Sequence, residues 1–296
     1  MTTTVTREAA PPTAIEEAAT DRPLAQERRR ALVFPREHGA WGILLIPLAT
    51  GAGAALLRGG RILPVMLFLS AALVLFWMRT PAESWFGAGP MRAQSKEEVR
   101  LVRDATLLLA SGALILLSTL LWQGRNARLL ILGVVAAAAF LGQATLKKAG
   151  RKARALSQIV GAIGLTCAAP GAYYVSTGQF GATAYGLWIA NWIFVANQVQ
   201  YVQMRIRGAR VEGFLTRCEQ GASFLEGHVV AIGLLLMAVR FAWLPAAALL
   251  AFVPELVRGL VWFFAKPETL LVRRLGWTEM AQALLFGVIL VTATRL

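Results

Sequence analysis

Acidic residues are scarce in this sequence, and aspartate is scarcest. Asp and Glu together number 16 against 30 Lys and Arg, and the two aspartates are Asp21 and Asp104. Charged residues of either sign make up only 16% of the 296 residues, where a soluble domain carries about a quarter. That shortage excludes an ordinary soluble fold, and a nucleic-acid binder with a net charge of +14 would not be this apolar. Cysteine is limited to Cys167 and Cys218. One falls inside an apolar run and the other in a connector expected on the cytosolic side, so a disulfide scaffold is excluded. An apolar run is missing from residues 1–33, where Thr, Ala, Pro and alternating charges such as Arg7, Glu8, Glu16 and Glu17 dominate. A secretory signal needs a basic start followed directly by an apolar stretch, so this segment reads as a disordered cytoplasmic tail.

What remains is strongly hydrophobic. Apolar residues make up 57% of the chain and the mean hydropathy is +0.58. From residue 34 to 296 the chain alternates between apolar stretches near the roughly 20 residues needed to cross hydrocarbon and short charged connectors. The expected fold class is an all-α polytopic membrane protein of about nine transmembrane helices. The spans run approximately Ala40 to Leu57, Ile62 to Met78, Ala105 to Trp122, Leu129 to Leu146, Ala155 to Val175, Thr183 to Met204, His228 to Trp243, Leu244 to Phe264 and Thr278 to Thr294. Only Arg240 to Pro245 separates the seventh from the eighth. If those two were one bent element, the count would fall to eight and the C-terminus would change side.

Lys and Arg concentrate in short cytoplasmic loops. With nine spans, 22 basic residues fall in connectors on one side and six on the other, and the alternation holds at every loop. The N-terminus is therefore expected inside and the C-terminus outside. Topology accounts for most of the positive charge, and no nucleic-acid partner is needed. Small residues at Gly51, Gly53, Gly161 and Gly164 suit close helix packing. Pro47, Pro170 and Pro254 lie inside spans and are expected to kink them. Trp188 and Trp192, deep in span six, read as packing residues.

Polar groups inside hydrocarbon are costly and face protein or a cavity. They gather toward the cytosolic half. In span six, Asn191, Gln198 and Arg205 lie nearly in line at about 100° per residue, with Asn197 and Tyr201 beside them. Glu37 and His38 open span one, Arg79 and Glu83 close span two, and His228 opens span seven. Glu255 and Arg258 in span eight are three apart and able to pair on one face. Glu279 is expected in the first turn of span nine, where a carboxylate suits the positive helix end. The candidate ligand-binding set is Glu37, His38, Arg79, Glu83, Asn191, Asn197, Gln198, Tyr201, Arg205, His228 and Glu279. His38 and His228, the two histidines, read as hydrogen-bonded or interfacial groups; no metal site and no cofactor is expected.

The segments Pro35-Arg36-Glu37-His38-Gly39-Ala40-Trp41, Ala169-Pro170-Gly171-Ala172-Tyr173-Tyr174, Tyr201-Val202-Gln203-Met204-Arg205 and Arg274-Leu275-Gly276-Trp277-Thr278-Glu279 resemble the YwiC-like family of bacterial integral membrane proteins, over about residues 33 to 294. That resemblance implies a multi-pass protein of the bacterial cell membrane and no particular activity or oligomeric state. A more distant likeness is to UbiA-type membrane prenyltransferases, which have nine helices and a cytosolic-side cavity lined by the ends of helices two and six. Those enzymes hold Mg²⁺ and a prenyl diphosphate through two aspartate-rich motifs, and neither motif is present here. Arg79, Thr80 and Glu83 stand at one corresponding helix end and Asn197, Tyr201 and Arg205 at the other, a cationic and amide-rich surface able to meet an anionic headgroup directly. The leading expectation is a protein in the lipid bilayer that binds an amphipathic, anionic, lipid-like molecule in a cytosol-facing pocket, with no catalytic residue assigned. A prenyltransferase with a rewired metal site, a transporter and a purely structural subunit are the alternatives.

Overall fold

The structure, a computed structural model, describes residues 26–35, 38–87, 89, 91–124, 127–148, 150, 153–208, 213–264 and 271–295. Among the described residues all regular secondary structure is helical. A helix over 26–33 (α1) is followed by α2 (His38–Leu56), α3 (Ile62–Trp85), α4 (Lys96–Trp122), α5 (Ala127–Lys148), α6 (Arg154–Thr166), α7 (Ala168–Thr177), α8 (Ala182–Arg207) and α9 (Phe214–Arg240). A 3-10 segment (Ala246–Ala251), α10 (Val253–Phe264) and α11 (Val272–Ala293) complete the chain.

Seven of these stretches are long and apolar enough to cross a membrane, counting α6 with α7 and the 3-10 segment with α10 as one each. The protein is an all-α polytopic membrane protein. The apolar part of α2, Trp41–Leu56, is shorter than the seven. α8 is long enough but is diluted by Asn191, Asn197, Gln198, Gln200 and Gln203. α2 and α8 occupy the positions of expected spans one and six, but neither matches the other seven in apolar length and hydropathy. The doubtful connection resolves into two elements, because α9 ends at Arg240 and Ala242 turns the chain with φ 54° before the 3-10 segment.

Several boundaries differ from expectation, for one physical reason: a helix does not stop where hydrocarbon stops, so charged turns extend it. α4 starts at Lys96 instead of Ala105, α9 at Phe214 instead of His228, and α11 at Val272 instead of Thr278. Cys218 consequently lies inside α9 and not in a connector. Cys167 and Cys218 are both free. The prolines also act differently from one another. Pro47 is interior to α2. Pro170 lies inside the Ala155–Thr177 span three residues after its break at Cys167, the interruption expected of an interior proline, whereas Pro254 occupies the first turn of α10, where a missing N–H costs no helix bond, so it marks a helix start. The break between α6 and α7 falls at Cys167.

The chain divides into two compact units. One comprises Met1–Arg36 and Leu73–Ala113. Here residues 26–33, which composition assigns to the tail, form α1 with Ala31 and Leu32 buried. The last carbonyls of a helix lack intrahelical partners. In α1 those of Leu32 and Val33 accept hydrogen bonds from Ser84 Oγ (3.2 Å) and Trp77 Nε1 (3.0 Å). Ser95 and Glu98 form the capping box that starts α4: the Glu98 N–H donates to Ser95 Oγ at 3.1 Å, and the Glu98 carboxylate accepts from the backbone of Gln94 at 2.8 Å. The same carboxylate accepts from Arg28 Nε of α1 at 2.7 Å.

The second unit comprises Glu37–Ala72 and Leu114–Leu296. α2 packs on α6, α7, α8 and α11, and α8 packs on α6, α7 and α9. Leu187, Ala190 and Phe194 of α8, Phe252, and Phe286 and Leu290 of α11 form its apolar centre, where the Phe194 and Phe286 rings stack at 4.0 Å. Small residues permit this closeness. A side chain at Gly51 would strike the backbone carbonyl of Ala169 on α7. Trp188 and Trp192 tie α8 to α6 by donating their indole N–H to the carbonyls of Ile163 and Ile159, each at 3.2 Å. This agrees with the packing role read from sequence.

Candidate functional site

Within the second unit the polar stripe of α8 meets charged residues of α10 and α11. Arg258 is the hub. Its two terminal nitrogens donate to both carboxylate oxygens of Glu279, at 2.6 and 3.1 Å, in a fork-to-fork pair. Its guanidinium carbon lies 4.1 Å from the centroid of the Tyr201 ring, within cation–π range. Gln198 donates to the backbone carbonyl of Glu279 at 3.0 Å, which fixes α11 against α8. Arg205 is electrostatically coupled to Glu279.

Glu255 lies nine residues from each end of the Ala246–Phe264 span and is 2% exposed. It interacts electrostatically with Arg258 and Glu279, and the Asn197 side chain on α8 comes close enough to its carboxylate to interact with it, but out of line for a well-formed hydrogen bond. Neither of its oxygens has a well-formed hydrogen bond among the described residues, and neither has Asn197 Nδ2 or Arg258 Nε. A buried carboxylate without a well-formed hydrogen bond beside unpaired donors is unusual among the described residues, since such groups are normally paired. The expected Glu255 to Arg258 pairing is therefore corrected: the guanidinium turns to Glu279, which reaches both its terminal nitrogens from another helix, whereas a neighbour three residues away competes for a single face.

Asn197 and Arg205, one turn on either side of Tyr201, bring the stripe along this row of charge, Glu255, Arg258, Glu279 and Arg205, toward the end of α8 that the basic-residue pattern assigns to the cytosol. Ten residues separate Asn197 from the last residue of α8, about 15 Å of helix. Glu279 is likewise seven residues into α11 and not in its first turn, because Arg273, Arg274 and Trp277 belong to the helix.

The other expected site residues have separate partners. Asn191 donates to Thr50 Oγ1 on α2 at 2.9 Å and to the Leu187 carbonyl at 2.8 Å, an interhelical bond of the bundle. His228 lies mid-helix in α9, not at a helix start, with Nε2 3.4 Å from the Leu256 carbonyl and its ring 4.3 Å from Phe224. Its Nδ1 is unpartnered among the described residues. Arg79 and Glu83 belong to the other unit, where they pair with each other at 2.8 Å. Glu37 and the side chain of His38 lie outside the described residues. Asp104 pairs with its neighbour Arg103 at 2.8 Å on an exposed face. Glu255 and Arg258 are the members that the candidate set omits, although their position in mid-span was the signal for them.

Fold and cluster together define a class: a polytopic helical membrane protein with ionisable groups held between helices in its interior. Residues 34–173, just under half of the chain, match the family model described as YwiC-like protein, and over that stretch the chain is similar to the YwiC-like proteins. The match contains the Pro35 to Trp41 and Ala169 to Tyr173 segments that carry the resemblance, whereas the charge cluster between Asn197 and Glu279 lies beyond it. No curated protein and no solved structure matches the chain.

Proposed function

We propose that the chain is a transporter whose solute path runs beside α8, past Glu255 and the Arg258–Glu279 pair. The observation that carries this reading is Glu255: a carboxylate 2% exposed, mid-span, and without a well-formed hydrogen bond among the described residues. A group so placed costs stability, so it is retained for what it binds. The row from Glu255 to Arg205 offers alternating negative and positive charge between mid-span and a helix end, a surface suited to a small ionised solute. Purified protein in liposomes, screened against small organic anions, amines and alkali cations, is expected to take up at least one above protein-free liposomes. That uptake is expected to vanish in Glu255→Gln. No solute moved above background would overturn the reading.

A second reading has its own support. Arg205, half-buried near the end of α8, makes no hydrogen bond or ion pair among the described residues. A guanidinium at that depth, coupled to Glu279 only through charge, is suited to an anionic head group whose tail lies between helices. Native mass spectrometry would then show a lipid-like molecule retained by the wild type and lost from Arg205→Ala. Equal retention by both would remove this reading.

A further inference from the structure

We infer that Glu255 is a proton site, loaded and discharged as Arg258 changes its carboxylate partner. The inference rests on the transport reading and names the ion that the orphan carboxylate takes. Three observations lead to it. First, Glu255 and Glu279 share one guanidinium: both terminal nitrogens of Arg258 are on Glu279, while its Nε has no partner and Glu255, three residues earlier on the same helix, has two unused oxygens. Acceptors and donor thus stand ready for a second arrangement, with Arg258 turned to Glu255. Second, the buried Asn197 amide beside Glu255 also has an unused nitrogen. A half-turn of that side chain offers either a donor to a carboxylate or an acceptor to a carboxylic O–H. Third, the surroundings do not suit a metal ion. Hard cations take about six oxygen ligands, whereas among the described residues no group of three or more acidic, His or Cys side chains is gathered, and a guanidinium adjoins the carboxylate.

A proton needs one oxygen and no coordination shell. With Glu255 protonated, one negative and one positive charge remain in the Arg258–Glu279 pair, and the observed geometry of that pair fits this state. With Glu255 ionised, two carboxylates compete for Arg258. The groups facing this exchange are Asn197, Tyr201 and Arg205 from α8 and Glu279 from α11. From α9, His228 lies against Leu256 and Gly259, and Arg217 donates to the Trp262 carbonyl at 3.0 Å. Loading forms one O–H bond on Glu255 as one breaks in a hydronium ion from the aqueous side. Discharge reverses this, and no electron moves.

Infrared difference spectroscopy of the full chain in lipid nanodiscs, stepped between acidic and alkaline pH, tests the site independently of any solute. The wild type is expected to gain the carbonyl stretch of a protonated carboxylic acid in acid and lose it in alkali. Glu255→Gln should lack that band, and Glu255→Asp should keep it at a shifted frequency. In Glu279→Gln, where Arg258 is released to Glu255, the band should require more acid to appear. The same pH-dependent bands in wild type and Glu255→Gln would overturn the inference, as would displacement of the band by sodium or potassium at constant pH. A titrating Glu255 band with no solute uptake removes the transport reading alone; uptake with no such band removes the proton site alone.

Discussion

Arg258 is held on three sides: both oxygens of Glu279 accept from it, at 2.6 and 3.1 Å, and the Tyr201 ring lies 4.1 Å from its guanidinium carbon. Its side chain is 17% exposed and that of Glu279 is 14% exposed. Three helices, α8, α10 and α11, thus converge on one positive charge. The third neighbour, Glu255, contributes charge without a well-formed hydrogen bond.

Breaking this pair from one side should cost much more than removing it whole. Deleting one partner of a buried ion pair leaves the other uncompensated, at about 3–5 kcal/mol. Arg258→Leu, which strands Glu279, is expected to lower stability by about that much, and Glu279→Gln by less, because Arg258 can turn to Glu255; both are measured as the unfolding midpoint in detergent micelles. The double variant should lose less than the two singles added together. Strict additivity would show that the pair contributes no coupling.

Glu255 should behave in the opposite way. Its carboxylate is buried and lacks a well-formed hydrogen bond, so replacement by leucine removes an unsatisfied group from the interior, worth on the order of 1–3 kcal/mol. Glu255→Leu is expected to raise the unfolding midpoint while abolishing uptake, the exchange of stability for activity seen where a site is strained. A lowered midpoint would mean that Glu255 is a structural anchor.

Seven of the nine expected spans were legible because apolar runs of this length have few alternatives, whereas the helix start at Ser95 to Glu98 was hidden in what read as a charged connector. The same holds at α9: Arg217, Glu219 and Gln220 look like a connector, yet they form the first turns of α9. The stripe on α8 was visible, but its division among neighbours was not. Asn191 turns to α2, Gln198 to α11 and Gln203 to Gln158 of α6. Spacing along one helix shows which residues share a face and says nothing of what that face meets. For the same reason Arg258 was matched to Glu255 by local spacing, while its actual partner is 21 residues away.

Glu98 closes the capping box of α4 and holds Arg28 of α1, so one substitution should disturb both. Glu98→Ala is expected to cost about 1 kcal/mol through the lost cap. It should also free α1, which shows as faster tryptic cleavage at Arg28 to Arg30 in the folded protein. Unchanged cleavage would mean that Ser84, Trp77 and the buried Leu32 hold α1 without the ion pair.

Gly51 approaches the Ala169 carbonyl too closely for any side chain, and the contact is backbone, which cannot swing aside. Gly51→Ala should therefore force α2 and α7 apart, at about 1–3 kcal/mol. Gly133, whose added Cβ would meet nothing within 4 Å, serves as the control: Gly133→Ala should be neutral or slightly stabilising, because glycine is the poorer helix former by about 1 kcal/mol. Equal effects at the two positions would show that helix propensity, and not the close approach, decides the result.

The charge pattern and the separate α9 and α10 segments make a definite statement about sidedness. Nine crossings with the Arg28 to Arg30 end in the cytosol put Arg295 on the far side. Alkaline phosphatase fused after Arg295 should be active and green fluorescent protein dark at the same position, with the reverse result for fusions between α8 and α9, within residues 208–213. Fluorescence at Arg295 would mean an even number of crossings. Since α9 and the Ala246–Phe264 stretch are each long and apolar enough to span, the segment to doubt would then be α2, whose apolar part is the shortest.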